Sequence, residues 1–196
     1  MIHYTVNIIM DFSAFSHGQI HSKLWLCETL EPYIDEPVNV IIVGSWYNVL
    51  GLLMMVRNRH LYKKIEGVDI NSDHINTSNK ICDAFVIIDN IVLNNHCSVD
   101  DVDFSAYDIV ISTSTEDIQS SDWYEKIPDN KIVCLQSVNL DPGIAKKYNN
   151  WEIVNPNISM ETFLKKFPMN QILFQGSKEF DYGDLKYDRY MIIGKK

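Results

Sequence analysis

What this sequence lacks narrows it more than what it holds. No two of its four cysteines, Cys27, Cys82, Cys97 and Cys134, form a C-x-x-C pair. Met1-Ile-His-Tyr-Thr-Val shows no charged segment leading into an apolar one, so no secretory leader is expected. Reduced thiols and a cytoplasmic location are the expectation. Positive charge is scarce: 17 Lys and Arg stand against 26 Asp and Glu, for a net charge of -9. That field repels polyanions, so a nucleic-acid partner is not favoured. The apolar run Val49–Val56 is far too short to cross a membrane. There is no internal repeat, low-complexity tract or linker. With 196 residues, the chain is read as a single domain, 1–196. Nothing in it indicates an oligomeric state.

What is present is an alternation of elements. Residues 1–13 read as an uncertain, extended segment. From Ser16 to Tyr33, Ile20, Leu24, Leu26, Cys27 and Leu30 recur near helical spacing, and Pro32 and Pro37 close that helix. Val38-Asn-Val-Ile-Ile-Val43 is β-branched and almost wholly apolar, as expected of a strand buried on both faces. Gly44 ends it, and Val49–Arg57 follows as a helix. Further strands are expected at Ile65–Ile70, within Ile91–Val99, at Tyr107–Ser112 and at Lys131–Gln136. Helices are expected from Asn71 or Ser72 to Phe85, near Trp123, and over Met160–Phe167 with Ser159 as its cap. Gln171–Phe180 and Tyr187–Ile193, separated by a turn at Asp181-Tyr-Gly-Asp-Leu, must pair antiparallel, because a parallel crossover needs a dozen residues or more. The expected fold is α/β: a doubly wound, mostly parallel sheet of about seven strands with a C-terminal antiparallel hairpin.

This order resembles the class I S-adenosylmethionine-dependent methyltransferases over about residues 14–196. More narrowly, Phe15-Ser-His-Gly-Gln-Ile-His-Ser-Lys-Leu-Trp-Leu26, Gly44-Ser-Trp-Tyr47, Ser112-Thr-Ser-Thr-Glu-Asp117, Leu135-Gln-Ser-Val-Asn139 and Arg189-Tyr-Met-Ile-Ile-Gly194 are similar to a group of small phage-encoded methyltransferase-like proteins. The resemblance implies S-adenosylmethionine as cofactor and residues 1–37 as a helical lid segment.

The candidate site follows the carboxyl ends of the strands, where an open α/β sheet binds ligands. Gly44, Ser45, Trp46 and Tyr47 follow the first strand. They serve either as a cofactor turn or as a plain βα turn packed with aromatics. Asp69, with Ile70 beside it, stands 25 residues after Gly44 at the end of the second strand. Its carboxylate could accept both ribose hydroxyls, or it could simply favour a helix N-terminus. The resemblance places Asn95 and Cys97 along the adenine ring. It places Ser112 and Thr113 by the methionine part of the cofactor and Glu116 by the acceptor. Glu116 is the candidate base, with helix capping as its alternative. Gln136 and Asn139 are candidates for holding a polar substrate, or for stabilising their loop. His17, Gln19 and Lys23 are candidates for closing the site from the lid, although Lys23 could be a solvated helix residue. His96 has no second ligand at metal-like spacing, so no metal is expected.

The leading functional expectation is methyl transfer to a small-molecule or protein acceptor. The same cofactor could instead donate its aminocarboxypropyl group or be cleaved. A non-catalytic binding module would tolerate the thin glycine run at Gly44. A nicotinamide oxidoreductase ranks last, because Gly44-Ser-Trp-Tyr-Asn-Val is not a G-x-G-x-x-G run. The absent Asn-Pro-Pro-Tyr type of motif argues against methylation of DNA bases.

Overall fold

The computed structural model describes residues 11–84, 91–149, 152–181 and 185–196. Seven strands form one sheet: β1 (Val38–Val43), β2 (Tyr62–Asp69), β3 (Val92–His96), β4 (Ile109–Ser112), β5 (Ile132–Val138), β6 (Gln171–Asp181) and β7 (Lys186–Lys195). Their order is β3-β2-β1-β4-β5-β7-β6. The first five are parallel; β7 lies antiparallel between β5 and β6, as the expected hairpin requires. The order reverses between β1 and β4, which sets the ligand-binding crevice at their carboxyl ends.

Alternation along each strand divides the core into two layers. Val40 and Ile42 of β1, with Ile109, Ile111, Cys134, Met191 and Ile193, face helices α1 (His17–Leu30) and α2 (Val49–Asn58). Ile41 and Val43, with Val110, Val133, Leu135 and Ile192, face Trp123, Tyr124, Phe163 and Phe167. β1 is therefore apolar throughout because both of its faces are covered. Helix α3 (Ser72–Ala84) packs beside β2 and β3.

Several boundaries differ from expectation. Helix α1 stops at Leu30, and Pro32 sits within a 3₁₀ turn, Glu31–Tyr33. β2 starts at Tyr62, earlier than expected, and β5 continues to Val138. β4 starts only at Ile109, because Tyr107 closes the 3₁₀ turn Phe104–Ala106. The segment near Trp123 is a 3₁₀ turn, Asp122–Lys126, rather than an α-helix. Helix α4 (Pro142–Asn149) is an element the sequence reading did not anticipate. Asp141 starts it, accepting from the amides of Gly143 (2.8 Å) and Ile144 (3.1 Å). The cap expected at Ser159 is present on α5 (Met160–Lys166), where Ser159 accepts from the Thr162 amide. Phe12 and Ser13, expected to be extended, lie instead in a 3₁₀ turn, Phe12–Phe15, capped by Asp11. The rest of the expected N-terminal segment, residues 1–10, and the centre of the hairpin turn, 182–184, lie outside the described residues.

Candidate functional site

The turn joining β1 to α2 carries three left-handed residues: Gly44 (φ 62°), Trp46 (φ 52°) and Asn48 (φ 49°). Only the first is glycine. A non-glycine residue in this region costs about 1–2 kcal/mol, so something must hold it there. Asn48, fully buried, supplies the hold. Its Oδ1 accepts from the Gly51 amide at 3.2 Å, and its Nδ2 donates to Asn94 Oδ1 at 2.8 Å. Asn94 in turn donates to Asn79 Oδ1 at 3.0 Å. The amide of Ser45 donates to Val68 O at 3.0 Å, and that of Trp46 to Asp69 Oδ2 at 2.8 Å. A polar network thus fixes the turn that a glycine run would otherwise permit.

Asp69 lies at the carboxyl end of β2, where the sequence predicts it. Its Oδ1 accepts from the Asn71 amide at 2.9 Å and faces His74 Nδ1 at 3.2 Å. Burial alone would raise its pKa. The bonds from His74, Asn71 and Trp46 outweigh that and hold it below the usual value. Asp69 therefore stays ionised near neutrality. A carboxylate offers about four acceptor positions, and three are in use, which leaves one on Oδ2. One ribose hydroxyl can bind without rearrangement. A second requires His74 to swing aside.

The end of β3 is arranged differently from the expectation. Alternation turns Asn94 toward α3 and Asn95 to the opposite face. Asn95 there donates to Glu66 Oε1 at 2.5 Å, and Glu66 also accepts from Tyr107 (2.6 Å) and pairs with Lys64. The Asn95 side chain is thus committed away from the Gly44 turn. Cys97 is half-buried, its amide bound to Asp69 O at 3.1 Å. Ile70, 75% exposed, forms the open rim beside it.

On the other side of β1, a buried polar chamber lies under α1. Ser112, Glu116 and Gln136 are fully buried, and Thr113, Lys23 and Arg189 nearly so. Lys23 Nζ donates to Gln19 Oε1 at 2.5 Å. Arg189 Nη1 donates to Thr113 O at 2.8 Å, while Gln136 Nε2 donates to Ser22 O at 2.9 Å and ties α1 to β5. Ser45 Oγ, Ser112 Oγ, both oxygens of Glu116, Gln136 Oε1 and Arg189 Nε have no hydrogen-bond partner. Burial, then the nearby Arg189, push Lys23 down to about 7, against the opposing pull of Glu116. Burial, helped by Asp117, raises Glu116 well above the carboxylate range. Arg189 and the nearby Ser137 hydroxyl oppose that rise without reversing it. Lys23 is accordingly a buried group rather than a solvated one.

The remaining candidates stand apart. His17 is exposed, its ring 3.8 Å from that of His21, and does not reach the chamber. Asn139 is bound both ways to Asp188, donating to Oδ2 at 3.1 Å and accepting from the amide at 2.7 Å. That clamp joins the end of β5 to β7. Among the described residues, no group of three or more His, Cys, Asp or Glu side chains could hold a metal. Between the Gly44–Tyr47 turn and Lys23, a cavity of about 20 Å³ remains, lined also by Ala14, Gln19, Val49, Thr113 and Ser114. Small-molecule sites usually measure roughly 300–1,000 Å³, so the first turns of α1 fill the crevice in this conformation. Arg189, Asn48 and His74 are the residues sequence reasoning missed. Only Arg189 left a signal: a charge beginning the otherwise apolar run Tyr190–Ile193.

No family model matches the sequence. No curated protein matches it either. Solved structures do. A protein of Galdieria sulphuraria assigned as a sarcosine dimethylglycine methyltransferase superposes with a TM-score of 0.68 at 9% identity, covering 91% of this chain and 86% of its own. Geranyl diphosphate C-methyltransferase from Streptomyces coelicolor, solved with S-adenosyl-L-homocysteine, gives 0.63 at 12% identity, over 88% and 78%. The N-methyltransferase NodS from Bradyrhizobium japonicum gives 0.61 at 8% identity, over 95% and 100%. At such identities the likeness establishes the fold alone.

Proposed function

For a chain with the class I methyltransferase fold, we propose the activity of an S-adenosylmethionine-dependent methyltransferase acting on a small-molecule or protein acceptor. One observation carries this reading. An ionised carboxylate, Asp69, ends β2 and binds the amide of the β1–α2 turn, beside the point where strand order reverses. That is where a ribose hydroxyl would find a charged acceptor.

The unspent bonding capacity fits such a cofactor. Asp69 keeps one acceptor position for the ribose. Ile70 and Cys97 would flank the adenine, a role Asn95 is turned away from. The Gly44–Tyr47 turn would run beneath the cofactor, and the unpartnered Ser45 Oγ and Ser112 Oγ, with Thr113, would meet its methionine part. When bound, the sulfonium supplies a methyl group activated for in-line transfer; the chain's contribution is to position, desolvate and manage the proton. Opening of the His17–Lys23 turns would admit the ligands. The acceptors in the neighbours' names, geranyl diphosphate among them, are small molecules. The acidic net charge agrees with such an acceptor better than with a nucleic acid. A phage origin and a cytoplasmic site of action belong to the same reading.

Calorimetric titration with S-adenosylmethionine and its demethylated product tests it. Both should bind, and Asp69→Ala should weaken both at least tenfold, about 1.4 kcal/mol. No binding at about 1 mM, roughly −4 kcal/mol, overturns the proposal. Mass spectrometry of the products separates methyl transfer from the other chemistries: thioadenosine in place of demethylated cofactor would mean aminocarboxypropyl transfer or cleavage.

A further inference from the structure

The chamber under α1 contains more bonding capacity than its own members use. Arg189 is 2% exposed, spends one bond on Thr113 O, and leaves Nε unpartnered. Among the described residues it forms no ion pair. Lys23, 6% exposed, donates its one hydrogen bond to the neutral Gln19 amide and feels Glu116 only through space. Burying two cations beside one carboxyl that burial itself pushes toward its neutral form is costly, and apolar side chains of the same volume would be cheaper. Packing therefore does not explain the pair. Near the pair lies a wall of acceptors, Gln136 Oε1 and the two oxygens of Glu116, all buried; Gln136 Oε1 is unpartnered, and Glu116 has only the Ser137 hydroxyl close by. Unsatisfied buried groups of both kinds, gathered in one place, are what a ligand completes.

The chamber's composition says which ligand. Two cationic donors call for an anion, and Arg binds carboxylates in a planar, two-bond geometry. The acceptor wall calls for several N–H donors; an amine has them, whereas a hydroxyl brings one. Position separates this ligand from the cofactor. Asp69 lies one strand to one side of β1, while Arg189 comes from β7, three strands to the other, or ~14 Å at about 4.8 Å per strand. Lys23 and Thr113 line both the chamber and the small cavity at the Gly44 turn, so the two are adjoining.

We propose that the methyl acceptor is a small amine carrying a carboxylate, the carboxylate held by Arg189 and Lys23 and the amine facing Glu116 and Gln136. This rests on the methyltransferase reading. The incoming ammonium gives one proton to the Glu116 carboxylate. The freed nitrogen lone pair then forms the new N–C bond as the C–S bond of the sulfonium breaks. That electron pair stays on sulfur, leaving a neutral thioether and an N-methylammonium. Burial raises Glu116, so its ionised fraction is the stronger base but grows only as pH rises toward the raised value, and the transfer should quicken in the same direction.

The test uses full-length protein saturated with S-adenosylhomocysteine. The probes are glycine, 4-aminobutyrate and anthranilate, with acetate and methylamine as the separated halves. At least one amino acid should raise the melting temperature and methylamine should not. Arg189→Met should abolish that response while S-adenosylhomocysteine, added to saturation of the variant, still binds within about tenfold of wild type, ~1.4 kcal/mol, the allowance covering the lost bond to Thr113 O. Arg189→Lys, which keeps the charge and loses the fork, should retain a weakened response and covers the case in which Arg189→Met does not fold. Absence of any amino-acid response overturns the proposal. So does a loss of S-adenosylhomocysteine affinity beyond about tenfold in either variant, since the carboxylate held there would then be the cofactor's own. If S-adenosylhomocysteine does not bind the wild-type protein at all, it is the methyltransferase reading that fails.

Discussion

Replacing Lys23 with methionine should make the protein more stable, and by an amount that depends on pH. The ammonium is buried, and its pKa falls from 10.5 to about 7 on folding. At 1.36 kcal/mol per unit, the charged form is disfavoured by about 5 kcal/mol in the folded state. That penalty is complete below about pH 7 and fades as pH rises toward the unfolded value of 10.5. At pH 7 about 4 kcal/mol of it applies, and at pH 9 about 2. Methionine matches the stem in volume and removes the charge. It also removes the bond to Gln19, worth about 1.5–3 kcal/mol for a charged donor. The balance is a gain of about 1–3 kcal/mol at pH 7, shrinking to nearly nothing by pH 9. Urea unfolding followed by tryptophan fluorescence, at several pH values in this range, reads the difference directly. A variant less stable than wild type at pH 7 would refute the reasoning, and so would a gap that does not change with pH. The same variant should lose response to carboxylate-bearing amines, so that stability rises as function falls.

Two further outcomes follow from groups nearby. Glu116 has a folded-state pKa above its ordinary 4.5, so the folded protein holds that proton longer and wild-type stability falls as pH rises from 4.5 through the raised value. Glu116→Gln should remove this slope, and denaturant midpoints across the acidic to neutral range should show its gap over wild type widening with pH. Asn48→Ala should cost about 2–4 kcal/mol, the sum of a left-handed residue without its hold and the orphaned Gly51 and Asn94 groups. A cost under about 0.5 kcal/mol, typical of a surface change, would show that the network does not hold the turn.

Much of the frame was legible in sequence, for identifiable reasons. Val38–Val43 announced a doubly covered strand because both alternate sets are apolar. The terminal hairpin was forced by the short distance between two strand patterns. Asp69 was findable because its place relative to Gly44 is fixed by one βαβ unit. What escaped depended on parity or on distant partners. One residue of register decides that Asn94 faces α3 and Asn95 turns away to Glu66. Gln136 spends its amide on Ser22, 114 positions earlier, and Asn139 on Asp188, 49 positions later. Helix α4 was missed because Asp141-Pro-Gly reads as a turn, whereas Asp141 caps a two-turn helix.

Building the β1–α2 turn from asparagine also changes what the chain is free to become. A Cβ on Gly51 would come within 2.5 Å of Asn48 Oδ1, and one on Gly67 within 2.6 Å of Asn48 Nδ2. Asn94 must be present to take the remaining amide hydrogen bond. Asn48, Gly51, Gly67 and Asn94 therefore constrain one another as alleles do under epistasis: a change at any one is penalised until its companions change. Any path to a different form of this turn would have to cross that barrier in a coordinated step.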